Sequence, residues 1–230
     1  MKKKRNNYII GSGFIAKKFK KYLNFLKIRK TVIYAAGISN SSENNIKNLK
    51  KEIDSLKKFI SSNKKKFVYI SSYSVNDTAR KKKKYVRNKI KIEKIIKNKV
   101  KNYLIIRLPE IVGFSKNPNT LTNFFNTMII KKKPFVVYTN AKRNILDVDD
   151  AISNCIRFIK FNKKSRCTIN IINKRFYRPL KIVKELEKIL KIKGNYKLKR
   201  NKKLSFVNKD NLFFESNKNY LGKVLKKYYN

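Results

Sequence analysis

Histidine is absent from this 230-residue chain, which removes the side chain that most often moves protons near neutral pH. Acid/base chemistry must then come from other groups. Cysteine is nearly absent too. Cys155 and Cys167 have neither metal-ligand nor redox spacing, so they read as reduced, packed thiols, and no metal site is expected. Proline and glycine number four and six, and no Pro/Gly/Ser-rich linker or internal repeat divides the chain. No apolar run approaches the ~20 residues that span a bilayer. The first stretch, MKKKRNNYIIGSGFIAKKFKK, has the basic flank and short apolar segment of a signal peptide. Lysines resume at Lys17, however, and glycines sit where a strand would hand over to a helix. The expectation is a cytoplasmic protein.

Negative charge is the other shortage. Thirteen Asp+Glu stand against 61 Lys+Arg, a formal charge of +48 that would attract any polyanion. The basic residues are spread along the whole chain among Ile and Asn, with no helix-turn-helix, zinc or aromatic-basic RNA signature. They read as a solvated lysine coat with some electrostatic help for anionic substrates, and no nucleic-acid partner is expected.

What is present is an alternation of apolar runs and helical periodicity, the pattern of an α/β fold on a parallel sheet. Strands are expected at 8–10, 31–37, 67–71, 103–109 and 145–148. Ile15, Phe19, Leu23 and Leu26 share one face of a first helix, and Ile46, Leu49, Ile53, Leu56 and Ile60 one face of a second over 43–62. Further helices are expected over 85–98, 149–161 and, after Pro179, over 179–191. Residues 114–140 and 163–230 are Asn/Lys-rich and read as an irregular lobe over the strand ends. At 230 residues and 41% hydrophobic, the chain can bury one core with this lobe attached. The expected organisation is a single integrated domain: a core of residues 1–113 and 141–162, and a substrate-facing lobe of residues 114–140 and 163–230.

Two constellations carry chemistry. Gly11-Ser12-Gly13-Phe14-Ile15-Ala16 fits G-x-G-x-x-G/A between a strand and a helix. The first glycine permits the tight turn, the second lets backbone approach a pyrophosphate, and Ala16 allows close helix–strand packing. No acidic residue follows at the distance where one would hold a ribose hydroxyl; the next strand ends in AAG. The second constellation is Ser72, Tyr85 and Lys89. A four-residue gap puts Tyr85 and Lys89 on one helix face. A phenol with its ordinary pKa near ~10 is no base at neutral pH, but a nearby ammonium favours the phenolate. Lysine is so common that the same spacing recurs at Tyr138–Lys142 and Tyr177–Lys181. Context separates them: Tyr138 precedes a loop, Tyr177 is followed by Pro179, and Tyr85 opens an unbroken helix after the serine strand.

The motifs GSGFIA, VIYAAG, FVYISSYSV, YVRNK, IIRLPEIVG and RNILDVDDAI stand in an order that resembles the short-chain dehydrogenase/reductase superfamily. The closer likeness is to its extended branch, the NAD-dependent epimerase/dehydratases of nucleoside-diphosphate sugars. The resemblance runs over residues 8–230 and implies a Rossmann-like parallel sheet with helices on both faces and a small substrate lobe. It implies Ser72, Tyr85 and Lys89 as a catalytic triad. Gly11, Gly13, Phe14 and Ile15 would lie along the pyrophosphate of NAD or NADP, Ala36 on the adenosine side, and Pro109 and Ile111 at the nicotinamide. Arg143 would grip the diphosphate of the sugar nucleotide, a task suited to a guanidinium fork. Helices 43–62 and 85–98 match the pair through which relatives dimerise, implying a homodimer.

The chain departs from the pattern in three places. The usual second and third strands are missing between residues 27 and 31, which reduces the adenosine side. Glu52 stands where an asparagine is common, and Asn76-Asp77 replaces a common tyrosine-glycine. Asp149 is expected as a helix N-cap instead of a catalyst. The leading expectation is an NAD(P)-dependent oxidoreductase or epimerase of a nucleotide sugar for surface polysaccharide assembly. The alternative is a non-catalytic dinucleotide-binding scaffold or sensor of the same fold.

Overall fold

In this computed structural model, residues 9–22, 31–61, 65–115, 117–200 and 211–230 are described. Tyr8, Leu23 and Leu26, assigned above to a strand and a helix, lie outside them. Six strands form one sheet in the order β1 (Ile9–Ile10), β2 (Thr31–Tyr34), β3 (Lys66–Ser72), β4 (Tyr103–Leu108), β8 (Cys167–Asn173), β11 (Asn211–Phe214), every neighbouring pair parallel. Such strands are covered on both faces, which is why 103–108 and 67–70 read as continuous apolar runs. Among the described residues β1 is the sheet's edge, with β2 directly beside it. The reduction expected on that flank is thus visible as a strand order that begins at β1.

Helices cover the two faces. On one, α1 (Phe14–Tyr22) and α5 (Val148–Phe161) bury Ala16, Phe19, Ile152 and Cys155 against Ile33, Val68, Leu104 and Ile106. On the other, α2 (Ile46–Ser61) and α3 (Lys84–Lys99) bury Leu56, Ile92 and Ile96 against Tyr34, Phe67, Tyr69 and Ile105. Each such aliphatic side chain contributes roughly 1.5–3 kcal/mol by leaving water. No helix among the described residues is long and apolar enough to cross a membrane.

Among its described residues, the stretch read as irregular carries regular elements. It holds α4 (Leu121–Ile130), α6 (Pro179–Leu190) and α7 (Tyr220–Tyr229), with β6 (Phe135–Tyr138) paired to β10 (Tyr196–Lys199). A three-stranded unit of β5 (Glu110–Val112), β7 (Arg143–Asp147) and β9 (Phe176–Tyr177) joins this region to the sheet. Phe125, Ile129, Phe135, Ile182, Leu186, Leu221 and Leu225 make its own core. Within the expected lobe span 163–230, β8 and β11 supply two of the six sheet strands, so that span and the sheet are interwoven. The N-cap of α5 is Asp147, whose carboxylate accepts from the Asp149 amide at 2.7 Å, and not Asp149.

Candidate active site

A cleft of about 590 Å³ opens at the carboxyl ends of β1 to β4, where open parallel sheets place their ligands. Each wall follows from how a strand ends. Beyond β1, Gly11 turns the chain at φ +128°, and a Cβ there would lie 2.6 Å from the Ala35 carbonyl oxygen, so only glycine fits. Gly13 has open space where a Cβ would stand, and Ser12, Gly13, Phe14 and Ile15 line the cleft at the start of α1. Gly11 and Ala36 do not line it; their neighbours Ala35 and Gly37 do. Pro109 and Ile111 line the wall beyond β4.

Ser72, Tyr85 and Lys89 all face this one cleft. Ser72 ends β3, accepts from the Ser74 amide at 3.2 Å, and lies 2.8 Å from the Ser74 hydroxyl. Tyr85 is buried at the second position of α3, and one turn later the Lys89 ammonium lies 5.4 Å from its ring centroid. Of the three Tyr–Lys spacings in the sequence, this is the one that shares a cleft with a serine and a glycine turn.

Lys89 has a buried partner beyond the expected triad. Its ammonium sits 2.6 Å from Glu52 Oε1, both side chains 3% exposed, and it also donates to the Tyr69 hydroxyl at 3.4 Å. Asn88 donates to the other Glu52 oxygen at 2.9 Å, and the Ile38 amide to the first at 3.3 Å. Burial works against the Lys89 charge, but Tyr69, Tyr85 and the Glu52 carboxylate outweigh it, and its pKa is raised. A usable signal did exist: Glu52 falls on the inward face of α2 between Leu49, Ile53 and Leu56, a position where a carboxylate needs a buried partner.

The serine side has its own polar frame. Ser71 donates to Glu93 at 2.7 Å, and Arg107 holds Glu93 through two bonds at 3.0 and 2.5 Å. Arg107 continues to Asn76 at 3.0 Å, and Asn76 to Asn170 on β8 at 3.0 Å. Asp77 accepts from the Ala79 amide and caps the turn Thr78–Arg80. The unexpected Asn76-Asp77 pair thus fixes the loop between Ser72 and Tyr85.

Arg143, at the start of β7, reaches the same cleft beside Lys142 and Arg80. Burial and then the Arg80 charge push its pKa down, with Glu110 and Asp77 opposing. Its Nε is buried with no hydrogen-bond partner among the described residues. A second recess, of about 600 Å³ among Arg175, Phe176, Tyr177, Arg178, Lys181 and Lys218, contains none of the groups expected to act. No group of three His, Cys, Asp or Glu among the described residues could hold a metal ion.

No family model matches the chain, and no curated protein matches it by sequence. Solved structures do. RMD from Pseudomonas aeruginosa, complexed with NADPH, aligns at a TM-score of 0.66 and 15% identity over 85% of this chain and 87% of its own. UDP-N-acetylglucosamine 4-epimerase from Bacillus cereus aligns at 0.66 and 15% over 96% and 93%. MoeE5, in complex with UDP-glucose and NAD, aligns at 0.70 and 11% over 94% and 90%. At these identities the likeness is one of fold. The chain shares the Rossmann-like parallel-sheet fold of these structures, and among the described residues its sheet ends at β1.

Proposed function

We propose that this protein is an NAD(P)-dependent oxidoreductase or epimerase acting on a nucleoside-diphosphate sugar. One observation carries the reading: a serine, a tyrosine–lysine pair, a glycine turn and an arginine with an unpartnered buried nitrogen converge on one cleft. Solved neighbours with the same fold are complexed with NADPH, or with NAD and UDP-glucose.

The glycine turn fits a dinucleotide. Gly13 leaves room for an anion against the backbone, and the start of α1 would offer its free amides to a pyrophosphate. Gly11 shapes the turn, Ser12 to Ile15 would hold the pyrophosphate, and Pro109 and Ile111 would flank the nicotinamide. Among the described residues the carboxylates lining the cleft are Asp77 and Glu110, neither of them at the β1–β2 wall where the adenosine would lie near Ala36. When bound, the cofactor supplies the hydride chemistry at the sugar carbon. Ser72 would hydrogen-bond the reacting sugar oxygen and hold it against Tyr85. Tyr85 would take the hydroxyl proton as the carbon is oxidised and return one as it is reduced. The Lys89 ammonium, 5.4 Å from the Tyr85 ring centroid, would stand beside the phenol during both steps. Arg143, Arg80 and Lys142 would receive the diphosphate, giving the orphaned guanidinium nitrogen an anion. The setting we propose is cytoplasmic, in surface polysaccharide assembly, with α2 and α3 as the homodimer face.

A thermal-shift titration with NAD, NADH, NADP and NADPH at moderate salt is the test. A nucleotide at 100 times its dissociation constant adds about 2.7 kcal/mol of stability, or roughly 5–10 °C for a chain of this size. UDP-sugars are then screened for cofactor reduction and for epimerised product. Tyr85→Phe should keep the nucleotide shift and lose turnover by about 100-fold or more. Binding without turnover returns the scaffold reading, and no shift with any of the four nucleotides removes both.

A further inference from the structure

Lys89 sits in a setting that its proposed task does not require. An ammonium that draws a proton from a phenol works through its unbalanced charge. Here that charge is matched, at 2.6 Å, by the Glu52 carboxylate. The pair is also built in. Asn88 and the Ile38 amide hold the two carboxylate oxygens. A Cβ at Gly37 would lie 2.6 Å from the Lys89 nitrogen and 2.9 Å from Glu52 Oε1, so the pair packs closely against the Gly37 backbone at the cleft wall. The titratable groups facing Lys89 are Glu52 from α2, Tyr69 from β3, Tyr34 from β2 and Tyr85 from its own helix. Burial raises both Tyr34 and Tyr69, so neither competes for the role of anion near neutral pH. Glu52 is the one carboxylate in this group; Tyr85 also shares its cleft with Asp77, Arg80, Glu110, Lys142 and Arg143.

We propose that Glu52 is a positioning residue for the acid/base step: it fixes the Lys89 ammonium beside Tyr85 and, by offsetting that charge, sets the pH at which the step turns on. The inference rests on the reading of Tyr85 as the proton-transfer group. Its sign is definite. Removing the carboxylate leaves the ammonium unopposed beside the phenol, favours the phenolate, and moves the midpoint to lower pH.

The test follows the Tyr85 ring carbon by NMR in the full chain labelled with ¹³Cζ-tyrosine, its signal assigned by loss in Tyr85→Phe. Glu52→Gln should lower the titration midpoint by about one pH unit or more, the scale of a charge at ~4–6 Å. Glu52→Asp keeps the charge but draws it back from Lys89, and should shift the midpoint the same way by less. It is also the variant to read if Glu52→Gln does not fold. In a Lys89→Met background, Glu52→Gln should add little, because the effect runs through the lysine. An unmoved midpoint in both Glu52 variants overturns the proposal, and so does a full shift that persists without Lys89. Where turnover is found, the acid limb of its pH profile must move with the NMR midpoint. A moved midpoint in a chain that turns over no UDP-sugar defeats the proposed function and leaves the charge coupling standing, so the two failures are told apart.

Discussion

Lys89 and Lys227 each hold a carboxylate from another part of the chain, Lys89 at 2.6 Å from Glu52 and Lys227 at 2.9 Å from both Asp147 and Asp149. Their surroundings differ. Lys89 and Glu52 are 3% exposed, whereas the Lys227 side chain is 47% exposed. The first pair sits between two helices at the cleft; the second clamps α7 onto the start of α5. In low dielectric a charge is costly unless paired, and losing one partner leaves the full desolvation cost on the other. At a half-wet surface, water and salt take over most of what the partner supplied. Similar contacts therefore serve different ends: one is a rigid, chemically tuned constraint, the other a replaceable latch.

The largest effect should come from Lys89→Met. It strands Glu52 in the core, a loss of about 3–5 kcal/mol, which is on the order of 6–20 °C in Tm at this size. The double variant Lys89→Met/Glu52→Gln removes both charges and should recover most of that loss. Denaturant melts of the single and double variants decide the matter. Equal destabilisation would mean that shape, and not charge, carries the contact, and the contrast with Lys227 would fail.

Lys227→Met should cost at most about 1 kcal/mol. Asp149 keeps Lys18 and the Tyr22 hydroxyl, Asp147 goes on capping α5, and Tyr220 still donates to Asp150 at 2.6 Å. What loss there is should shrink further in 1 M salt, where the screening length is about 3 Å. The Lys89→Met loss should not. Melts of both variants at low and high salt sharpen the comparison with a single reagent.

These contacts also mark how far the sequence could be read. The strands around 67–71 and 103–108 and helices α2, α3, α5 and α6 were legible because their apolar positions keep one period without interruption. Strand β8 was not. Its CTINIIN places Asn170 and Asn173 inside the fold, where Asn170 bonds Asn76 and Asn211, and Asn173 bonds Asn144 and the Ile145 carbonyl. In a chain full of surface asparagine, a buried structural asparagine looks like loop. The serine, tyrosine and lysine were legible because their order along the chain carries meaning. The partner of Lys89 was not, because a contact between residues 37 apart depends on how two helices pack.

The smallest expected effect is one of pH at the wet cluster. Burial works against ionised Asp149, but bonds from Lys18, Lys227 and Tyr22 outweigh it and hold its pKa below the usual carboxylate range. A depressed carboxyl contributes stability that is complete above its unfolded value, near ~3.9. That contribution is lost as pH falls through the lower folded value. Asp150 has the opposite sign: burial raises it, with the Tyr220 bond opposing, so protonation relieves a cost as pH falls through its raised value. The two partly cancel, and the wild-type acid limb should be shallow. Asp149→Asn removes the acid-labile half alone. The variant should be slightly less stable than wild type at neutral pH and should lose less, or even gain, between about pH 4 and pH 2. A variant whose stability falls in parallel with wild type over that window would place the acid sensitivity elsewhere, and the Lys227 cluster would then be a latch in geometry only.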